Sequence, residues 1–182
     1  MLLSSLVVPR PIGWIGTYGV NGTPNLAPYS FFNVVSGWPP TVLFSGGSIE
    51  GRPKDSPSNA IAAGAFTVNI VSEDLAEAMN ASSAKLPSEV DEFEIVGLTA
   101  VKGDVAHAPR VGEAKASLEC RVLHVVEVGS NTVVFGEVVR FHHQPDVVRG
   151  TKVDHDVLLP IGRMSGPGYT RTRDRFTMQR PD

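Results

Sequence analysis

The chain has 182 residues and a single cysteine, so it cannot form an internal disulfide framework. At this length roughly 70% of the unfolded chain's surface can be buried, enough for one domain spanning residues 1–182 to hold together through its core. Lack of disulfides fits a reducing compartment, and a cytoplasmic protein is expected. Positive charge is not in excess: 16 Lys and Arg stand against 19 Asp and Glu, a net charge of −3. No basic cluster interleaves with aromatics, so nucleic acid is not an expected partner. No apolar run approaches a membrane span, and "MLLSSLVVPRP" is too short and too poor in charge for a secretory signal. The chain enters strand-like sequence almost at once, an abrupt start suggesting that a few native residues are missing ahead of it. Three common motifs are also absent. There is no G-x-x-x-x-G-K-[ST], no G-x-G-x-x-G after a strand and no G-x-S-x-G elbow.

Glycine (18) and proline (14) are plentiful and spread along the chain, which favours many short strands joined by turns. "IGWIGTYG" (12–19), "TVLFS" (41–45) and "AFTVNIV" (65–71) read as strands. "VNGTPN" carries an Asn-Gly turn. The clearest β signal is "AKASLECRVLHVVEVGSNTVVFGEVVRFHH", two alternating runs at about 115–128 and 132–143 around "GSN"; so tight a closure makes them antiparallel. "SPSNAIAAG" begins with helix-start residues and stops at Gly64. "SEDLAEAMNASSA" offers Ser72 as a cap and apolar Leu75, Ala76 and Met79 at helical spacing. The acidic, irregular segment from Lys85 to Gly112 is long enough that it should line or cover something. The pattern predicts an antiparallel barrel with one or two peripheral helices.

Aromatics are only 7% of the chain, yet "PNLAPYSFFNVVSGWPP" (24–40) holds four: Tyr29, Phe31, Phe32 and Trp38. Prolines inside the stretch argue against a core strand. The residues read as shaped apolar surface, half loop, of the kind that meets a ligand or another subunit.

"GRPKDSPSN" (51–59) combines Arg52 and Lys54 with the hydroxyls of Ser56 and Ser58 just before a helix. A helix N-terminus beside a cation is an anion site, best suited to phosphate. The same residues are also explained by a solvated loop whose Asp55 or Ser56 merely caps the helix. His142, His143 and "DHD" (154–156) match no ordered zinc spacing, and no metal site is expected. Cys120 sits in an alternating strand and reads as a small core residue rather than a nucleophile.

Taken in order, "PRPI" (9–12), "NLAPYSFF" (25–32) closed by "PP" (39–40), and "KDS" (54–56) with Asn59 resemble the flavin reductase-like, FMN-binding split-barrel family. "FTVNIVSEDLAEAMN", "DEFEIVGLT", "APRV", "SLEC", Arg163 and Tyr169 fall in that family's order, so the resemblance covers nearly the whole chain. Each motif alone is weak, and their order and spacing are what make the match specific. Two departures stand out: Ser56 where Thr is frequent, and Pro53 where a second basic residue often lies.

The resemblance implies a mainly β fold, an antiparallel six-stranded Greek-key split barrel with a few peripheral helices. It implies a homodimer with FMN at or near the subunit interface. Backbone groups around Pro28 to Phe31 would lie along the polar edge of the flavin ring, and Lys54, Ser56 and Asn59 would hold the phosphate. Thr17, Asn25, Ala27, Pro28, Tyr29, Ser30, Phe31, Asn33, Arg52, Lys54, Asp55, Ser56, Asn59 and Tyr169 are the implied cofactor contacts. Tyr169 and the 80–110 segment would cover the ring. NADH or NADPH would be a transient co-substrate, and no acid–base side chain is required. An FMN-carrying electron-transfer protein served by a protein partner, and a non-enzymatic dimer, stand as alternatives. The intact Lys54-Asp55-Ser56 loop argues against the latter.

Overall fold

A computed structural model describes residues 2–49 and 51–181. The main sheet is built from Gly13–Tyr18 (β1), Pro24–Tyr29 (β2), Phe32–Gly37 (β3), Pro40–Ile49 (β4), Ala65–Ile70 (β5), Ala116–Val128 (β6) and Asn131–His143 (β7). The helices are short: Leu2–Leu6 (α1), Asp55–Ala63 (α2), Ala76–Ala81 (α3), Glu92–Ile95 (α4) and His155–Leu158 (α5). No helix among the described residues is long and apolar enough to cross a membrane.

The strand order is β2-β1-β5-β6-β7-β4-β3, with every neighbour antiparallel. Its two edge strands, β2 and β3, are joined only by Ser30 and Phe31. A sheet whose first and last strands are consecutive in the chain must curl until its edges meet. The seam is held where the Ser45 N–H donates to the Phe31 carbonyl at 2.8 Å. Residues 24–37 therefore act as one strand broken in the middle, and counted so the barrel has the six strands expected. The stretch is more regular than its prolines implied. Pro28 pairs opposite Trp14 on an edge strand, where a missing N–H breaks no ladder on the open side.

Strands β1 and β5 are buried on both faces, which explains their continuous apolar character. On the inner face Ile15, Phe66 and Val68 pack with Tyr29, Phe44, Cys120 and Val134. On the outer face Trp14 packs with Leu26, Val71, Met79, Phe93 and Val111 in a second core. Period-two alternation thus feeds two cores at once, each large buried side chain contributing about 1.5–3 kcal/mol. Gly16 marks the closest approach of the covering segment. A Cβ there would stand 2.2 Å from the Pro109 carbonyl oxygen.

The 85–112 segment covers the outer face, as expected. Asn69, fully buried on β5, donates to the Trp14 carbonyl (3.0 Å) and accepts from Val111 N–H (2.9 Å) and Ser117 Oγ (2.8 Å). Glu119, also fully buried, is held by three successive backbone N–H groups, those of Asp104 (2.7 Å), Val105 (2.7 Å) and Ala106 (2.6 Å), and by His142 Nε2 (2.5 Å). Burial alone would raise its pKa. The Ala106 N–H, His142 and the other two N–H groups outweigh that and hold it at about 2. Asp104, Glu119 and His142 lie close enough to share a cation. Both Glu119 oxygens are already taken by these donors, which makes the cluster a structural clamp. His143 turns away to the Gln144 carbonyl, and Asp154 caps α5. Burial pushes the Cys120 thiol pKa well above its usual range, with the Glu119 charge adding to it, so the thiol is a core group.

Candidate functional site

Helix α2 starts where β4 and the Arg52–Pro53 extension deliver the chain, and it ends at Gly64, whose φ of 67° suits the left-handed C-cap. Its N-cap is Lys54, whose side chain makes no capping hydrogen bond. Neither Asp55 nor Ser56 caps the helix, so the simple capping explanation of this loop does not hold. The Ser56 hydroxyl instead turns inward and donates to Asn25 Oδ1 at 2.9 Å. Pro57 seats the helix against β4 at Gly46, where a Cβ would approach Pro57 Cγ to 2.5 Å.

The uncapped helix start opens into a cavity of about 450 Å³. Its floor is β2, through Asn25, Ala27, Pro28 and Tyr29; one wall is Arg52 to Ser56, and the other is the loop from Ser82 to Ser88. That loop is pinned at both ends. The fully buried Trp14 donates its indole N–H to Ser82 Oγ (2.9 Å), and Ser88 Oγ donates to Asp55 (3.0 Å). Arg52, Lys54 and Lys85 line this cavity, and none forms an ion pair among the described residues. Free helix N–H groups beside unpaired cations are donors suited to a phosphate.

Beneath the cavity lies a buried polar network. Asn25 Nδ2 donates to both carboxylate oxygens of Glu92 (3.0 and 3.1 Å), and the Leu26 N–H donates to Glu92 Oε2 (3.1 Å). Thr17 Oγ1 donates to Asn25 Oδ1 (3.2 Å), and Asn59 Nδ2 donates to Thr17 Oγ1 (3.3 Å). No cation among the described residues pairs with Glu92, and burial raises its pKa against the opposing pull of the Leu26 N–H and Asn25. Burial also pushes the Tyr29 phenol up to about 12, so it stays neutral.

A second cavity of about 510 Å³ continues from the first, sharing Pro28 and Ser83. Ser30, Phe31 and Tyr169 line it together with Arg10 and Arg163. Of the residues implied from sequence, Asn25, Ala27, Pro28, Tyr29, Arg52, Lys54, Asp55 and Ser56 line the first cavity; Pro28, Ser30, Phe31 and Tyr169 line the second. Thr17 and Asn59 sit in the network behind, outside both. Asn33 faces a separate apolar groove beside Leu3, Val7, Phe31 and Leu43. Sequence reading placed the Ser82–Ser88 loop and Glu92 only within the 80–110 segment implied to cover the ring, and singled out neither Glu92 nor Arg10 as a site-forming side chain. The acidic run around Glu92 carries no periodicity that separates a buried carboxylate from solvated neighbours.

Residues 4–159 match the flavin reductase like domain family, and the chain belongs to that family. A Deinococcus radiodurans protein is 42% identical over 98% of this chain and 83% of its own length. Bacillus subtilis YwrF is 35% identical over 99% of this chain and 92% of its own. Among solved structures, nitrilotriacetate monooxygenase component B from Bacillus cereus is similar with a TM-score of 0.95 and 32% identity, covering 97% of this chain and 91% of that one. The 2-nitrobenzoate 2-nitroreductase NbaA from Pseudomonas fluorescens is similar with a TM-score of 0.90 and 30% identity, covering 99% and 89%. The fold is thus that of flavin reductase-like split-barrel proteins, in keeping with the resemblance read from the motifs.

Proposed function

We propose that the chain is an FMN-dependent oxidoreductase of the flavin reductase type, reduced by NADH or NADPH. The observation that carries this is one continuous groove. It runs from an uncapped helix start lined by Arg52, Lys54 and Lys85, which form no ion pair among the described residues, across the half-buried Ala27 and Pro28 of strand β2, to the walls around Phe31 and Tyr169. These residues fit the cofactor: anion donors at one end, main-chain groups in the middle, and the Phe31 and Tyr169 rings at the other. Lys54, with Arg52 and Lys85 nearby, would hold the phosphate with the free N–H groups of α2. The backbone of Ala27 to Phe31 would meet the polar edge of the ring, stiffened by Pro28 and braced by the buried Tyr29 and Phe32. FMN, when bound, supplies the redox chemistry, taking up hydride from the nicotinamide and releasing electrons to an acceptor. The chain's own task is to align the two ligands and exclude water, so no acid or base is assigned.

The active unit in this reading is a homodimer, with residues 1–182 acting as one domain in each subunit. Trp38 is 90% exposed, with Val34, Val35 and Phe31 beside it in sequence also exposed, and Leu3 and Val7 line the adjoining apolar groove. So much apolar surface next to the groove suits a subunit contact. The buried thiol and lack of disulfides fit the cytoplasm. The test is absorbance of the purified, FMN-reconstituted protein, then anaerobic addition of NADH and NADPH. Bleaching of a bound flavin band is the expected result. A flavin-loaded protein that neither nucleotide bleaches would leave only a role in which a partner protein supplies the electrons. A protein that takes up no flavin would overturn the reading.

A further inference from the structure

The second cavity holds two positive charges, Arg10 and Arg163, to which the flavin reading above assigns no role. Arg10–Pro11 pairs with Ile161–Arg163, and that strand pairs with Tyr169–Arg171. The register sets Arg10 directly opposite Arg163, and Arg163 directly opposite Tyr169. Like charges opposite each other on neighbouring strands are destabilising. Arg10 is also buried, and among the described residues its guanidinium donates to neutral acceptors alone: the carbonyls of Ser4, Val7 (2.8 Å) and Met164 (3.1 Å), and Ser30 Oγ (3.3 Å). Arg163 stacks on the Tyr169 ring at 4.5 Å and donates to Tyr169 Oη and the Gly166 carbonyl. Tyr169 Oη in turn donates to Asn80 Oδ1 at 3.1 Å, which fixes the stack. No carboxylate among the described residues pairs with either arginine, and none lines the cavity. The remaining walls include Ile12, Phe31, Met79 and Met164.

Two neighbouring cations, the buried Arg10 and the half-buried Arg163, with no carboxylate among the described residues beside them, cost free energy that a bound anion offsets. A guanidinium held over an aromatic ring and fixed by hydrogen bonds presents its remaining N–H groups to a carboxylate or phosphate. We propose that the cavity beyond Pro28 is an anion-recognising subsite, in which Arg163, set by Tyr169 and backed by Arg10, receives the phosphate or carboxylate of the molecule that exchanges electrons with the flavin. This rests on the flavin reading for the identity of that exchange, while the anion site itself rests on the two arginines alone.

Calorimetric titration of flavin-free and FMN-loaded protein tests it, with benzoate against neutral benzamide and NAD⁺ against nicotinamide. Benzoate binding more tightly than benzamide marks a carboxylate-bearing partner. NAD⁺ binding more tightly than nicotinamide marks a phosphate-bearing one. In either case Arg163→Met should weaken the anion about tenfold to a hundredfold and leave the neutral ligand unchanged, while Arg163→Lys keeps most of the affinity. Should Arg163→Met fail to fold, Arg163→Lys and a salt series carry the test, since only the anion's affinity should fall with ionic strength. Anions that bind no better than their neutral counterparts, or an Arg163→Met loss shared by both, would overturn the proposal. So would loss of the preference for FMN over riboflavin in Arg163→Met, which would put the cofactor's own phosphate here. Anion binding to flavin-free protein with no uptake of FMN would sink the flavin reading and leave the anion site standing; FMN uptake without anion selectivity would do the reverse.

Discussion

The side-chain amide of Asn25 donates to both carboxylate oxygens of Glu92, at 3.0 and 3.1 Å, in a site that water scarcely reaches. The contact ties strand β2, the floor of the groove, to helix α4 at the end of the covering loop. It does so with a carboxylate that forms no ion pair among the described residues.

That arrangement sets a pH dependence. Burial raises the Glu92 pKa, so the folded protein holds this proton to higher pH than the unfolded chain, whose ordinary value is 4.5. A raised carboxyl contributes most below the unfolded value and loses ground as pH rises through the folded one. Glu92→Gln cannot ionise, but its amide nitrogen replaces one of the two acceptor oxygens. The variant should therefore be less stable than the parent below pH 4.5, and the gap should narrow as pH rises. Urea midpoints across a pH series measure this; a gap that stays constant or widens contradicts it.

Glu119 has the opposite sign. Its folded value of about 2 lies below the ordinary 4.5, so its contribution is complete above 4.5 and is lost as pH falls toward 2. The difference corresponds to about 3 kcal/mol. Glu119→Gln should lose stability of that order at neutral pH and show a flatter acid limb than the parent. Denaturation at pH 7 and pH 3 checks both. An equal loss at the two values would mean that the carboxylate's charge does not matter there.

Much of the barrel was legible because its signals are local. The alternation of 115–128 and 132–143, the turn between them and the Gly64 stop of α2 depend on neighbours in sequence. The Lys54-Asp55-Ser56 loop could be proposed as an anion site for the same reason, since a helix start and its flanking cations are contiguous. What the fold brings together from far apart was not. Arg10, Arg163 and Tyr169 meet only because three short strands pair in one register. Thr17, Asn25 and Ser56 look like exposed polar residues in sequence, yet all three are buried, and their hydrogen bonds are spent on one another and on Glu92. Strand β2 was read as half loop because Pro24 and Pro28 are poor strand residues, a rule that edge strands escape.

If the exposed apolar residues Phe31, Val34, Val35 and Trp38 form a subunit contact, assembly should depend on concentration. A twofold contact over Phe31, Val34, Val35 and Trp38 is expected to bury above about 2,000 Å² in total. If FMN binds at that contact, it should strengthen the dimer by mass action. Sedimentation across a dilution series, with and without FMN, measures this. A chain that stays monomeric at micromolar concentration while keeping full FMN affinity contradicts it, and Trp38→Asp should weaken the dimer if this is the face involved.

The most direct test of the groove as an FMN site compares FMN with riboflavin, which differ only in the phosphate, on the parent protein and on Lys54→Ala. The charge-assisted contact at the start of α2 is worth about 1.5–3 kcal/mol, so FMN should bind roughly tenfold to a hundredfold more weakly to the variant. Riboflavin affinity should barely change, because its uncharged tail has no use for the lysine. Flavin fluorescence quenching on titration gives all four constants. A loss confined to FMN is the result this account requires; an equal loss for both flavins, or none for either, would contradict a phosphate held at Lys54.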